Sequence, residues 1–172
     1  MSKKVVLVIA SRGYQEREYN ETKKVLEDAG VEVLTASDVV DFATGHMGNR
    51  VKVGLSLKSI NPALYAGVFI IGGPGALECL DTDAMYQVLS EFFAVQKPYG
   101  AICVSPRILS KAQVLRGKKA TCWNGDEKAQ EVFDIGDATL VEGPLVVDGT
   151  IVTADGPDAA EAFGEAILSV IK

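Results

Sequence analysis

The sequence predicts a doubly wound α/β sandwich, with a mostly parallel central sheet and helices on both of its faces. Strand-like and helix-like segments alternate along the whole chain, which is the pattern of such folds. The strand-like segments are continuous β-branched runs, as at residues 5–10, and such runs are typical of parallel strands buried on both faces. A length of 172 residues suffices for one domain with a full core. We therefore expect a single domain over residues 1–172.

The first half of the chain contains three predicted core strands and one clear helix. Residues 16–29 have helical spacing and stop at Gly30, a residue type that often follows the end of a helix. Residues 37–60 are polar and contain glycines, so we expect turns there with one short strand at 51–55. The core strands are short apolar runs at residues 5–10, 31–36 and 67–71.

The second half continues the alternation and closes with a hairpin and a helix. Asp81 and Thr82 are typical helix N-caps, and Gly117 is expected to follow a helix end. Asp148 with Gly149 predicts a tight hairpin turn. The helices are expected to run to residue 95 and over 106–115, 126–133 and 159–171. The strands are expected at 98–103, 118–123, 145–148 and 150–153.

The composition excludes several classes of function. A formal net charge of −6, without a basic patch that contains aromatic residues, argues against nucleic-acid binding. No apolar run approaches membrane-spanning length, and the N-terminal segment is too short and strand-like for a signal peptide. Three cysteines without metal-like spacing indicate reduced thiols, and a single histidine excludes a His-rich metal site. We expect a cytoplasmic protein with no metal and no nucleic-acid or membrane partner.

The most informative residue is Cys103, where the strand at 98–103 meets the helix at 106–115. A cysteine at such a junction lies beside unpaired N–H groups and the positive end of the helix dipole, which favours the thiolate. We therefore predict a lowered pKa for the Cys103 thiol and a role as a nucleophile or an oxidisable group. The alternative is a small buried core residue, which is the role expected for Cys79 and Cys122.

Other candidate residues are predicted at the same edge of the sheet, where sites of this fold class form. The Gly-Gly-Pro-Gly stretch at 72–75 is either a tight turn or a source of N–H groups for an oxyanion hole beside Cys103. Glu18 is either a solvated acid at a helix N-terminus or a partly buried carboxyl that moves a proton. Glu16 and Glu21 compete for this second role, and the sequence does not choose among them.

Five further residues are candidates for the wall of a pocket. His46, the only histidine, lies in a turn-like loop. It is either an exposed, inert loop residue or a base that reaches Cys103 through its loop or across a dimer contact. Trp123 ends a predicted strand, where it could line the pocket or fill the core. The remaining three candidates are Tyr14, Gly156 and Pro157.

Taken together, these motifs resemble those of the ThiJ/PfpI superfamily, which includes the parkinsonism-associated protein deglycase, archaeal intracellular cysteine peptidases and glyoxalase III-type stress chaperones. The segment Ala-Ile-Cys-Val-Ser-Pro-Arg-Ile-Leu at 101–109 resembles the nucleophile elbow of that superfamily. The resemblance also covers the segments at 18–22, 70–75, 117–121 and 148–157, and so spans nearly the whole chain. It implies a flavodoxin-like fold and a homodimer or higher homo-oligomer.

The resemblance also implies roles for individual residues. Cys103 matches the reactive cysteine of the family and Glu18 its acid. Gly73, next to Gly72, and Val104 match the backbone N–H donors that face the sulfur. Peptidase-like members carry a histidine directly after the cysteine, where this chain has Val104. Deglycase-like members carry one near the position of Trp123. Because both histidines are absent, a base-activated peptidase nucleophile is not expected.

Three functions remain from the sequence. The leading hypothesis is a cofactor-independent, cysteine-dependent enzyme of the glyoxalase III or deglycase type. It would act on small aldehydes or glycated compounds in stress protection. The alternative is a redox sensor or stress-protective protein without turnover, in which Cys103 is oxidised to a sulfinate. An intracellular peptidase or amidase of the PfpI type ranks lowest, because Val104 cannot protonate a leaving amine.

Overall fold

The computed structural model describes residues 2–172, and in this range strands and helices alternate along the chain. The strands are β1 (Lys4–Val8), β2 (Arg12–Tyr14), β3 (Glu32–Ser37), β4 (Asp41–Gly45), β5 (Arg50–Val53), β6 (Leu55–Ser56), β7 (Gly67–Ile70), β8 (Tyr99–Ile102), β9 (Lys119–Ala120), β10 (Thr139–Leu140), β11 (Leu145–Asp148) and β12 (Ile151–Ala154). The helices are α1 (Glu16–Asp28), α2 (Ala76–Leu80), α3 (Asp83–Ala94), α4 (Pro106–Lys111), α5 (Ala129–Ile135) and α6 (Ala160–Val170). Short 3₁₀ helices lie at Leu57–Ser59 and Pro157–Ala159.

The central sheet contains seven strands in the order β11-β12-β8-β7-β1-β3-β6. Neighbouring strands are parallel except β11 and β12, which form the predicted antiparallel hairpin. Strands β7, β8 and β12 are buried along their whole length, as their continuous apolar sequences predict. The predicted mostly parallel sheet is confirmed.

Helices cover both faces of this sheet. The chain passes from β1 through α1 to β3 on one side of β1, and from β7 through α3 to β8 in the opposite direction. Because such crossovers are right-handed, the two directions place α1 and α3 on opposite faces. Helix α6 packs against α1, and α4 packs against α3 and α5. The strand order reverses between β1 and β7, and sites in this class of fold form at such a reversal.

The predictions differ from the structure mainly in short elements. The helix expected at 106–115 ends at Lys111, since Gln113 has a positive φ of 63° that breaks the helical path. The strand expected at 118–123 is reduced to β9, which pairs with β10 in a separate two-stranded sheet. Helix α2 and strand β10 were not predicted, because each has too few residues to show a period.

The segment at 37–60 contains more strand than the sequence predicted. Strands β4 and β5 form an antiparallel hairpin, and β2 pairs with β4 to complete a small three-stranded sheet. This sheet carries the turn at 46–49 over the carboxyl edge of the central sheet, beside β2. Its strands are mostly exposed, so the sequence there lacks the apolar run of a core strand. Among residues 2–172, no helix combines the length and apolar character needed to cross a bilayer.

Candidate active site

Cys103 lies in a sharp turn between β8 and α4. Its φ of 63° is in the left-handed region, which a residue with a side chain adopts only when its surroundings hold it there. The Cys103 N–H donates to the Ala154 carbonyl at 2.9 Å, and the Cys103 carbonyl accepts from the Trp123 N–H at 2.8 Å. The Ser105 hydroxyl donates to the Ile71 carbonyl at 2.9 Å, across the neighbouring strand end. These bonds fix the strained turn and with it the position of the sulfur.

The glycines after β7 bring backbone N–H groups to that sulfur. The N–H groups of Gly73 and Val104 lie near the Cys103 sulfur and lower the pKa of its thiol. At Gly72 a Cβ would lie 2.5 Å from the Cys103 Cβ and 2.9 Å from Glu18 Oε2. Gly73 has a φ of 119°, a conformation that favours glycine. The two glycines are therefore required by the close approach of this loop to Cys103.

Glu18 is fully buried behind Cys103, on the first turns of α1. Its Oε2 accepts a hydrogen bond from the Gly72 N–H at 2.8 Å, and its own N–H donates to the Gln15 side chain at 3.0 Å. Glu18 Oε1 has no conventional hydrogen-bond partner, and the Cys103 thiol is the polar group with which this carboxyl interacts. Burial raises the pKa of Glu18 to about 7. The carboxyl can therefore hold or release a proton near neutral pH.

The prediction of a lowered pKa for the Cys103 thiol is wrong. Burial raises the pKa of Cys103 to about 12, and the negative charge of ionised Glu18 adds to this effect. The N–H groups of Val104 and Gly73 lower the pKa but do not compensate. The sequence argument gave the following helix too much weight, because α4 is only six residues long. At neutral pH the sulfur therefore holds its proton, and a nearby base must accept it when the sulfur reacts.

Structure distinguishes the three acids that the sequence left open. Glu18 is the one that reaches the sulfur. Glu16 is buried but binds the turn at 46–49 instead, since its Oε1 accepts from the Met47 N–H at 2.7 Å. Glu21 lies nearer the surface and pairs with Arg17 at 2.8 Å.

A cavity of about 350 Å³ opens in front of Cys103. It brings together Cys103, Gly73, Val104, His46 and Trp123, all of which the sequence had singled out. Three further residues complete the lining: Pro74, which belongs to the glycine loop that the sequence singled out, and Gln15 and Leu77, which sequence reasoning did not identify. Leu77 lies two residues after the glycine loop, and that proximity is the signal that could have found it.

The other candidate wall residues lie outside this cavity lining. Tyr14 is buried, and its hydroxyl donates to the Asn49 carbonyl at 3.2 Å, so it supports the turn at 46–49. Gly156 precedes the 3₁₀ helix before α6, and Pro157 is its first residue.

His46, in contrast, lines the cavity of its own chain, and its backbone N–H donates to the Tyr14 carbonyl at 2.9 Å. Its side chain is exposed at the cavity mouth.

Trp123 is held in place by a buried arginine that sequence reasoning missed. Arg107 on α4 is 3% exposed, and its guanidinium donates to the Trp123 carbonyl at 3.1 Å and to both oxygens of Asp126 at 2.6 and 2.9 Å. The same guanidinium lies 5.8 Å from the centre of the Trp123 ring. Arg107 holds the pKa of Asp126 low, at about 2. Within residues 2–172, no group of three His, Cys, Asp or Glu side chains is placed to hold a metal ion.

Both the sequence and the fold of this chain are similar to those of known proteins. A family model described as the DJ-1/PfpI family matches residues 3–170. An uncharacterised protein of Methanocaldococcus jannaschii is 34% identical over 170 residues, which cover 98% of this chain and 82% of the relative. A ThiJ/PfpI domain protein from Brachyspira murdochii is 28% identical, with a TM-score of 0.90 over 98% of this chain and 96% of that one. Oxidized Toxoplasma gondii DJ-1 is also 28% identical, with a TM-score of 0.83 over 98% and 90% of the two chains.

Proposed function

Because the chain belongs to the DJ-1/PfpI family, we propose that it is a cysteine-dependent enzyme that acts on small reactive carbonyl compounds, with glyoxalase- or deglycase-like chemistry. The observation that carries the proposal is the pairing of Cys103 with a buried carboxyl. Glu18 has a pKa of about 7, so at neutral pH it can accept the proton that the thiol must lose. No cofactor is needed for the steps that follow.

The first step is addition of the thiol to an aldehyde. The sulfur attacks the carbonyl carbon while its proton passes to the Glu18 carboxylate. The carbonyl π electrons move to oxygen, and the N–H groups of Gly73 and Val104 are in position to bind the developing oxyanion. Return of the proton from Glu18 to that oxygen gives a neutral hemithioacetal and restores the carboxylate. The proton is therefore conserved between the three groups.

A 2-oxoaldehyde can then isomerise on the enzyme. Glu18 removes the proton from the former aldehyde carbon, which gives an enediolate, and returns it to the neighbouring carbon, while the hydroxyl proton on the former aldehyde oxygen passes to the neighbouring oxygen. The result is a thioester of Cys103 with a 2-hydroxy acid. Water hydrolyses this thioester and regenerates the thiol. The sum is 2-oxoaldehyde plus water to 2-hydroxy acid, without an external oxidant or reductant.

The site favours this chemistry over amide hydrolysis. Amide cleavage requires an acid that protonates a leaving amine, and the two family positions for such a histidine hold Val104 and Trp123. His46 is the single imidazole at the cavity, and its side chain is exposed at the mouth. A carboxyl with a pKa of about 7 is well suited to move a proton between two adjacent carbons.

Consumption of methylglyoxal and release of lactate test the proposal. We expect turnover by the wild-type protein and a loss of at least about 100-fold in both Cys103→Ser and Glu18→Gln, since each removes a group used in the chemical step. Glu27→Gln, an exposed carboxyl on the same helix, is the matched control and should retain full activity. Undiminished activity in Glu18→Gln would show that its assigned role is wrong.

The same variants distinguish the redox-sensor alternative. Two N–H donors and one buried carboxyl around the sulfur also suit a sulfinate, which needs several hydrogen bonds. In that case methylglyoxal turnover would be absent from every variant. Mild peroxide would add two oxygens to Cys103 of the wild-type protein, as measured by the mass of its peptide, and leave Cys79 and Cys122 unchanged.

A further inference from the structure

The cavity in front of Cys103 has a wall of side chains that the proposed chemistry does not use. Pro74, Leu77, Val104 and Trp123 give it a mainly apolar surface. Apart from His46 at the mouth, no titratable side chain other than Cys103 itself belongs to the lining formed within residues 2–172. A pocket of this kind selects the part of a ligand that does not react.

Trp123 is the largest side chain of this wall, and although it is 41% exposed, its indole is contacted from within the same chain. Arg107 binds the Trp123 backbone carbonyl and lies over one face of the indole. The indole also lies directly against Gly125, where a Cβ would be 2.8 Å from the Trp123 Cε2 atom. A ring held in this way offers a flat surface that is already in place before a ligand binds, which lowers the entropic cost of binding.

The charges around the wall are already paired. The guanidinium of Arg107 is bonded to both carboxylate oxygens of Asp126 and lies behind the indole rather than in the cavity. A ligand with a carboxylate or phosphate would therefore find no free cation in the wall, and its desolvation would be uncompensated. A ligand with an uncharged apolar group would exchange water for contact with the indole and Leu77.

We infer that this cavity selects 2-oxoaldehydes with an uncharged aryl or similarly bulky apolar substituent, and that Trp123 is the specificity-determining residue. The inference rests on the proposed function, because Cys103 and Glu18 act on the oxoaldehyde carbons. A volume of about 350 Å³ leaves room beyond those few atoms. The substituent lies against Trp123, while the aldehyde carbon lies at the sulfur.

Product formation from three substrates tests the inference. Phenylglyoxal, methylglyoxal and 4-carboxyphenylglyoxal are supplied separately, and the 2-hydroxy acids are quantified by chromatography, which is insensitive to side reactions with arginine. We expect kcat/KM for phenylglyoxal to exceed that for methylglyoxal by at least about tenfold, and the carboxylated substrate to lose most of that advantage. Trp123→Ala should raise the KM for phenylglyoxal and bring the ratio of kcat/KM for phenylglyoxal to kcat/KM for methylglyoxal towards one. Phe93→Ala, which removes an exposed aromatic on α3, is the control and should leave the ratio unchanged.

The outcomes separate the inference from the proposed function. Equal or better use of methylglyoxal by the wild type, or a ratio that Trp123→Ala does not change, overturns the inference while the proposed function stands. If none of the three substrates is turned over, the proposed function fails and the specificity for 2-oxoaldehydes fails with it, and fluorescence then tests the apolar wall separately. Trp123 is the only tryptophan, so its emission reports the cavity directly. A saturable change with benzyl alcohol and none with ethanol supports the apolar site, whereas no change with either overturns it.

Discussion

At the scale of single residues, Cys103 and Glu18 have to be considered as one unit. Burial raises the pKa of both groups, and the negative charge of ionised Glu18 raises the pKa of Cys103 further, whereas the hydrogen bond from the Cys103 thiol lowers the pKa of Glu18. The pair therefore keeps one proton over a wide range of pH. A neutral thiol beside a carboxylate is then the resting form above pH 7, and the thiolate forms only as the proton moves to Glu18.

Alkylation of Cys103 by iodoacetamide should reflect this coupling. In the wild type we expect the rate constant to rise by about tenfold per pH unit to beyond pH 10, because the thiol has a pKa of about 12. Glu18→Gln removes a negative charge beside the sulfur, so its profile should shift to lower pH and its rate at pH 8 should exceed that of the wild type. The mass of the Cys103 peptide is the measurement, and Cys103→Ser corrects for the other thiols. An inflection of the wild-type profile near the ordinary value of about 8.5 would contradict this prediction.

At the scale of elements, the position of Glu18 depends on how α1 packs. Helices α1 and α6 lie side by side on one face of the sheet, and the Thr22 hydroxyl of α1 donates to the Ala160 carbonyl of α6 at 3.2 Å. Gly164 allows their close approach, since a Cβ there would lie 2.9 Å from the Val25 Cβ. Because Gly164 has no side chain, α6 can pack closely against α1 and help to hold it against the sheet.

Gly164→Ala should destabilise the protein even though alanine favours helix. The added methyl overlaps Val25 and costs about 1 to 3 kcal/mol, of which better helix propensity recovers up to about 1 kcal/mol. We expect a net decrease of about 1 kcal/mol in the free energy of unfolding, measured with urea. The double variant with Val25→Ala should lose less than the sum of the two single variants, because the overlap is gone. Glu165→Ala, exposed on the same helix, should stay within about 0.5 kcal/mol of the wild type.

At the scale of the whole molecule, the topology assembles the site from distant segments. The carboxyl ends of strands β1, β7 and β8 lie side by side. Glu18, Gly72 and Cys103 therefore meet, although Glu18 and Cys103 are 85 positions apart in the sequence. The small sheet of β2, β4 and β5 then adds His46 at the cavity mouth. Burial of Glu18 under these layers links the site to the stability of the entire fold.

This link predicts that the free energy of unfolding falls as the pH rises from about 4.5 to 7. The pKa of Glu18 is about 7 in the folded protein against 4.5 ordinarily, so in this window the folded state holds more protons than the unfolded state. The contribution is complete below pH 4.5 and decreases by up to about 3 kcal/mol by pH 7. Glu18→Gln should remove this pH-dependent contribution, and urea titrations at several pH values are the measurement. Glu27→Gln should retain the wild-type slope, and an unchanged slope in Glu18→Gln would rule out this source.

Much of the fold and the centre of the site could be predicted, because local patterns encode them. The apolar runs of β1, β7 and β8 are long enough to show burial on both faces, and Cys103 follows one of them directly. The strands of the small sheet were missed because they are exposed and short, and Arg107 was missed because a charged residue in a helix ordinarily predicts a solvated face. The sign of the Cys103 pKa shift was wrong because it depends on burial, which no local pattern reports.

The sequence by itself determined the class of fold, the family resemblance and the cysteine at the centre of the candidate site, since these follow from periodicity, motifs and residue order. Tertiary structure alone decided which of three glutamates serves the sulfur, which candidate residues line the cavity, and how strongly the thiol holds its proton. The physical reason is the same in each case. Desolvation and contact depend on what the rest of the chain places around a residue, and strands far apart in sequence supply those surroundings here.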